Sequence, residues 1–266
     1  MNPLSGTDDE GFILSPPAGD LQEEFGGVVA DTSSSLVKTL GCTIDGIYLY
    51  GSVAWGRATP GVSDLDVTLV INNRTEVISA QLEQIRLLLQ TRHPEVTKID
   101  FDVGIRSEVL AIENVYRWGY WLKHQCRSVW GADLSEHFRR FKPSRRIALD
   151  ANGDFVSELH RLAKLIEQES NSAQLRSLQR EAARKAIRAT NVLRAEHGGD
   201  WPLTLSDYAT SFIRAEPGMR TQASYFLRNA CAPQACASEF AARLNDFAQD
   251  IARLQRSRTA KGSGHE

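Results

Sequence analysis

Tyr50-Gly51-Ser52-Val53-Ala54-Trp55-Gly56-Arg57, a short turn, and then Ser63-Asp64-Leu65-Asp66-Val67-Thr68-Leu69-Val70 is the stretch that decides how this 266-residue chain folds. The runs that flank the glycines, Ile47-Tyr48-Leu49-Tyr50 and Val67-Thr68-Leu69-Val70-Ile71, are β-branched and aromatic, which predicts two strands in one hairpin-like unit. Side chains alternate along a strand, so Asp64 and Asp66 are expected on one face of the second. Two carboxylates held side by side repel unless a cation lies between them. Oxygen ligands with few histidines nearby favour a hard divalent ion, and Mg²⁺ held by one or two carboxylates plus substrate phosphates is the common arrangement. Gly51 and Gly56 let backbone N–H groups approach a phosphate, and the Ser52 hydroxyl can donate to one of its oxygens. The segment reads as a metal–triphosphate site.

Gly-Ser, a second Gly, and Ser-Asp-x-Asp opening an apolar strand resemble the signature of the DNA polymerase β-like nucleotidyltransferase superfamily. The resemblance implies that Gly51 and Ser52 hold a nucleoside triphosphate, ATP or another NTP, with Ser63 and Arg57 as further nucleotide contacts. It also implies that Asp64 and Asp66 hold the metal, with two Mg²⁺ ions expected. The chain departs from its relatives at Trp55, where many carry a basic or polar residue, and in a longer turn at Pro60-Gly61-Val62. A third acidic residue is implied on a neighbouring strand, and Lys98-Ile99-Asp100-Phe101-Asp102-Val103-Gly104-Ile105 offers two on one face. Asp100 falls where aminoglycoside adenylyltransferases carry a Glu that serves as third carboxylate and base, while Asp102 fits the terminal-transferase relatives equally well. Asp100 is slightly favoured as the third metal ligand, and both are kept as catalytic candidates. The implied reaction is in-line displacement at the α-phosphorus, which needs positioning and electrostatic stabilisation but no nucleophilic side chain.

Composition excludes several classes. A hydrophobic fraction of 42% with 24% charged residues is that of a water-soluble globular protein. No apolar run approaches the roughly 20 residues of a membrane helix. Residues 1–20 are acidic and rich in Pro and Gly, which is not a signal-peptide pattern; a flexible arm is expected over 1–19, with Phe12-Ile13-Leu14 able to dock. Cys42, Cys126, Cys231 and Cys236 have neither zinc-site spacing nor the density of a disulfide framework, so a cytoplasmic location is expected. His93, His124, His137, His160, His197 and His265 are scattered and read as surface or helix residues. The net charge of −2 hides an asymmetry: residues 1–142 carry −6 and residues 143–266 carry +4. That split suits a metal-loaded acidic half and a basic half that attracts phosphate.

The order of elements predicts an α+β fold, a small mixed-sheet domain over 20–142 followed by an all-helical bundle over 143–257 and a disordered tail over 258–266. Helices are expected over 20–40 and 75–90, a third strand over 97–105, and a further helix over 108–125. Tyr116, Trp118, Tyr120 and Trp121 in that last helix read as a core stripe or, alternatively, as a wall for a nucleobase or ring-bearing acceptor. Ser128–Leu134 resembles the element that closes the catalytic domain in many relatives. Residues 142–146 read as a linker, and five helices follow near 151–169, 173–197, 204–215, 219–231 and 234–257. Arg176, Arg180, Arg184 and Arg188 recur every four residues along one helix face, read as a solvated stripe or, through Arg184 and Arg188 with Lys185, as triphosphate contacts.

The pattern of this helical half resembles the acceptor domain of streptomycin/spectinomycin-type aminoglycoside nucleotidyltransferases. The expected partners are therefore a nucleoside triphosphate and a small-molecule hydroxyl acceptor rather than a nucleic acid, with antibiotic resistance as the implied role and no membrane association. Glu158, Glu181 and Asp207 are candidates to meet a polycationic acceptor. Two alternatives stay open: a toxin-type enzyme that modifies tRNA or protein, and a non-catalytic regulatory module on the same fold.

Overall fold

The computed structural model describes residues 6–196 and 199–262, the last four by backbone alone. It divides into two compact units, Phe12–Phe141 and Met1–Gly11 with Lys142–Glu266.

The first unit runs α1 (Glu23–Leu40), β1 (Ile44–Tyr50), α2 (Gly51–Ala54), β2 (Leu65–Ile71), α3 (Glu76–Arg92), β3 (Ile99–Ile105), α4 (Arg106–Val109), α5 (Tyr120–His124) and β4 (Arg127–Gly131). Its sheet has the order β3-β2-β1-β4. β1 lies antiparallel to β2 and β4, whereas β2 and β3 are parallel. Parallel neighbours need a crossover, and α3 supplies it. The helix is started by Thr75, whose hydroxyl accepts from the Ile78 N–H at 3.3 Å.

Alternation then assigns the two faces of the sheet. Leu65, Val67, Leu69 and Ile71 of β2 join Ile47, Leu49 and Ile99 beneath Phe25, Val28 and Leu36 of α1 and Ile78, Leu82 and Leu89 of α3. Tyr48 and Val70 face the other way, into a smaller cluster with Val109, Trp118, Leu122, Cys126 and Leu134. The sequence pattern predicts helices on one side of the sheet only, so this second layer is additional.

The single helix expected over 108–125 is broken into α4, a 3₁₀ turn at Ile112–Asn114, a π-helical turn at Val115–Gly119, and α5. The wide turn lays the Trp118 indole over Gly104, where a Cβ would come within 2.7 Å of the ring. Of the aromatic stripe, Trp118 and Tyr120 are core. Trp121 packs on Tyr50, with ring centroids 4.9 Å apart.

Residues 6–19 make fixed contacts in place of the expected flexible arm. Ile13 is fully buried and its N–H donates to Phe141 O at 2.9 Å, while the Gly6 N–H donates to Trp201 O within the second unit. Residues 1–5 lie outside the described residues. His124, the last residue of helix α5, is buried too. Its Nε2 accepts from the Phe141 N–H at 2.9 Å, and its Nδ1 lies 3.2 Å from the Ser15 hydroxyl.

The second unit contains α6 (Arg145–Asn152), α7 (Phe155–Gln168), α8 (Ser172–Ala189), α9 (Leu205–Ala215), α10 (Arg220–Asn229) and α11 (Ala237–Gly262). Its core joins Phe155, Leu159 and Leu162 of α7 to Ala183 and Ile187 of α8, Phe226 of α10, and Phe240, Leu244 and Phe247 of α11. A helix occupies part of the stretch expected as a linker, because Ser144 caps it by accepting from the Ile147 N–H at 3.2 Å. The second bundle helix stops at Ala189 and passes into a 3₁₀ turn at Thr190–Leu193. α11 continues past the expected end at 257, with Arg258 donating to Glu216 at 2.6 Å. His197, His265 and residues 263–266 lie outside the described residues. Among the described residues no helix is long and apolar enough to cross a membrane.

Candidate active site

Register builds the site. Tyr50 of β1 pairs with Asp66 of β2, and Asp66 pairs with Asp100 of β3, so the three side chains form one row across the sheet. The next row is Tyr48, Thr68 and Asp102. One residue before the β2 ladder lie Asp64 and, across from it, Lys98, whose carbonyl accepts from the Leu65 N–H at 2.8 Å. The acids therefore occupy the ends of β2 and β3 where β1 finishes. Further along the same face, Trp118 and Val109 close over Gly104.

The loop lies directly against this row. The segment between the strands is wound into one helical turn, α2, not left as an open loop. Gly51 adopts φ +68°, and a Cβ there would lie 2.1 Å from Asp66 Oδ2. A glycine is needed on both counts, because a side chain would be strained and would also strike the carboxylate. Ser52 is half-buried beside it. Past the second glycine, Gln22 pairs with Ala58 in both directions, at 2.9 and 3.1 Å, and ties the loop to the start of α1. Arg57 is exposed with its guanidinium 5.2 Å from the Trp55 ring. The Ser63 hydroxyl accepts from the Thr59 N–H at 2.9 Å and closes the turn that leads to Asp64.

The electrostatics report the crowding of acids. Burial raises the Tyr50 phenol far above its ordinary range, and the charges of Asp66, Asp102 and Asp100 raise it further, so the phenol stays protonated. Asp102 is pushed above the usual carboxylate range by desolvation, against the pull of Arg117, the Val103 N–H and Arg74. Its side chain reaches solvent, so this is a walled, open-mouthed position and not full burial. Asp64 accepts from the Thr97 hydroxyl, and Asp100 Oδ1 is 2.7 Å from Lys98 Nζ. Among the described residues no three acidic, histidine or cysteine side chains form a ready-made metal cage. The donor set is nonetheless all oxygen, on one face, against a glycine that leaves Asp66 uncovered by any side chain of its own, and this fits a hard divalent ion.

Residues 33–119 match the family model of the nucleotidyltransferase domain. The chain carries a nucleotidyltransferase domain. The matched span contains the whole glycine segment and all four aspartates. No curated protein matches the sequence. Among solved structures, spectinomycin adenyltransferase AAD(9) from Enterococcus faecialis, determined with ATP and spectinomycin, superposes with a TM-score of 0.52 at 12% identity, covering 84% of this chain and 98% of that one. At that identity the likeness is one of fold, and it spans both the mixed-sheet domain and the helical part. The protein is thus an enzyme of the nucleotidyltransferase type, with a fold similar to that of this spectinomycin adenyltransferase.

Gly51, Ser52, Ser63, Arg57, Asp64, Asp66, Asp100 and Asp102 all belong to the first unit, whereas Arg184 and Arg188 belong to α8 of the second. On that helix Arg176 and Arg188 are exposed, Arg180 and Arg184 are half-buried, and Lys185 is bound to Asp154 at 2.9 Å. Two of the acids named for a cationic acceptor are already engaged: Asp207 completes the capping box of α9 with Thr204, and Glu158 pairs with Arg161 at 2.7 Å. Sequence reading missed Tyr50, Thr97 and Lys98 as neighbours of the acids. Extending the period-two pattern one step, two residues, back from Asp100 and aligning it with Asp64 would have found Lys98. No sequence signal points to Gln22.

Proposed function

We propose that the protein transfers a nucleoside monophosphate, AMP from ATP, to a hydroxyl of a small polar acceptor of the aminocyclitol antibiotic class, with Mg²⁺ as cofactor. The observation that carries this reading is the row Tyr50–Asp66–Asp100 with the Gly51 backbone against Asp66. Asp64, Asp66 and Asp100 would hold the metal, Asp100 in preference to Asp102 because it is the register partner of Asp66. Bound there, Mg²⁺ supplies charge neutralisation for the triphosphate and the leaving pyrophosphate. The backbone of the Gly51 turn and the Ser52 hydroxyl bind phosphate oxygens, with Arg57 and Ser63 at the edge of the loop. Asp102, one row deeper, accepts the proton of the attacking hydroxyl, and its Oδ–H bond forms as the new O–P bond replaces the bond to pyrophosphate.

A macromolecular acceptor, RNA or protein, is the second reading, favoured by the exposure of Arg176 and Arg188 on that stripe. Incubating the protein with Mg²⁺ and each α-labelled NTP against spectinomycin-type aminocyclitols, tRNA and a cell lysate separates the two. Label from ATP on the aminocyclitol is expected. Label found only on RNA or protein establishes the second reading, and label on nothing leaves the catalytic reading without support.

A further inference from the structure

Within the otherwise acidic edge of the sheet stands one lysine. Lys98 immediately precedes β3, two residues before Asp100, and its Nζ reaches Asp100 Oδ1 at 2.7 Å. Both side chains are more than one-third exposed, at 40% and 37%. An exposed ion pair of this kind contributes little to folding, so stability does not explain the placement. The neighbouring residue repeats the pattern, because the Thr97 hydroxyl donates to Asp64, the residue just before β2. Two adjacent residues just before β3, Thr97 and Lys98, thus contact Asp64 and Asp100. Arg74 and Arg117 act on Asp102, and Arg86 feels Asp100 from α3 while bound to Glu83. Lys98 makes a direct contact with a proposed metal ligand, Asp100.

We propose that Lys98 is a resident counter-cation of this site, holding Asp100 until a divalent ion displaces it and thereby setting the metal affinity. The inference rests on the metal reading above. With the ammonium in place, the Tyr50–Asp66–Asp100 row carries less repulsion and needs no ion to stay ordered. Binding of a divalent cation at Asp66 and Asp100 then requires the Nζ–Oδ1 contact to open, which makes binding a competition between an intramolecular cation and a free one. Lys98 is accordingly a positioning residue, acting through Asp100.

The test is Mn²⁺ binding to the full chain, read by electron paramagnetic resonance with and without a non-hydrolysable triphosphate analogue. Lys98→Met is expected to bind Mn²⁺ roughly tenfold more tightly than the wild type, and Lys98→Arg to stay within about twofold because it keeps the charge. Arg74→Met removes a nearby charge that makes no contact with Asp100 and serves as the control, with a change expected below about twofold. An unchanged or weakened affinity in Lys98→Met, or an equal gain in Arg74→Met, overturns the proposal. Asp66→Asn separates the underlying reading: if it binds Mn²⁺ like the wild type, the ion sits elsewhere. A second measurement needs no variant. Competitive acetylation of the wild-type chain, followed by mass spectrometry, is expected to show Lys98 reacting several-fold faster once Mn²⁺ is added, with Lys38 and Lys142 unchanged as references. Equal acceleration of all three, or none at Lys98, counts against displacement.

Discussion

The same strands present two unlike faces. On one, Leu65, Val67, Leu69 and Ile71 alternate into a dry layer under α1 and α3, and every one of them is fully buried. On the other, the intervening residues run from Asp64 and Asp66 through Thr68 to Val70, so charge gives way to an apolar patch within four positions of the chain. Period-two alternation lets one strand do both tasks, because the apolar face anchors it while the other face carries groups that would be unaffordable in a closed core. The polar face is stabilised at its far end, where Trp118 covers Gly104 and Trp121 donates to Thr68 at 3.0 Å.

This contrast can be broken one face at a time. The largest expected effect is on chemistry: Asp66→Asn should lower nucleotide transfer by about a thousandfold or more, while chemical denaturation shows an unchanged or slightly higher midpoint, since repulsion with Asp100 is relieved. On the dry face, Leu69→Ala should cost about 2–5 kcal/mol of stability by denaturant titration, with transfer per folded molecule preserved. A loss of turnover out of proportion to the loss of folded protein would show that the two faces are not separable. Gly51→Ala should affect both properties, with about a hundredfold loss of transfer as the methyl displaces the Asp66 carboxylate and about 1–2 kcal/mol of strain from the left-handed backbone. Trp121→Phe is the mildest, expected to cost about 1 kcal/mol through the lost indole hydrogen bond to buried Thr68.

The coverings of the two faces also respond to pH in opposite senses. On the acid-bearing side, burial depresses His124 to about 4, with Arg140 and Lys123 acting in the same direction. In the unfolded chain it takes up a proton near 6.5, so between those values the unfolded state binds more protons. The stability associated with neutral His124 is therefore complete above pH 6.5 and is lost as pH falls towards 4, by about 3 kcal/mol in all. Burial is the main cause, and the Phe141 N–H that donates to Nε2 fits the same neutral ring. Under α1 and α3, His93 behaves the other way. Burial pulls it down, but hydrogen bonds to Asp31 at 3.0 Å and Glu95 at 2.8 Å outweigh this and raise it. Its contribution is full below 6.5 and disappears as pH rises through the raised value. Denaturation curves between pH 4 and 8 should lose their acid-side slope in His124→Gln and their alkaline-side slope in His93→Gln; an unaltered acid limb in His124→Gln would remove His124 from the account.

Much of the first unit was legible because its signals are local. Strand composition, the Thr75 cap and the spacing of Gly51, Ser52, Asp64 and Asp66 are properties of neighbouring residues. The stretch from Arg106 to His124 was not legible as drawn, since a helical period in the sequence does not reveal that Trp118 must reach Gly104 and that the backbone widens into a π turn to let it. The first residues are legible only in part: Phe12-Ile13-Leu14 marks a segment able to dock, but the full burial of Ile13 and the pairing of its N–H with Phe141 O are decided by the tertiary structure. Asp207 looked available for a ligand because its role as a helix cap depends on where α9 begins.

By itself the sequence determined the class of chemistry, because a glycine-rich turn and an i, i+2 pair of carboxylates are short-range features that survive any arrangement of the rest. Only the tertiary structure decided which residues share a row: parallel pairing of β2 with β3 brings Asp100 beside Asp66 and Lys98 onto Asp100, and no single strand encodes the register of its neighbour.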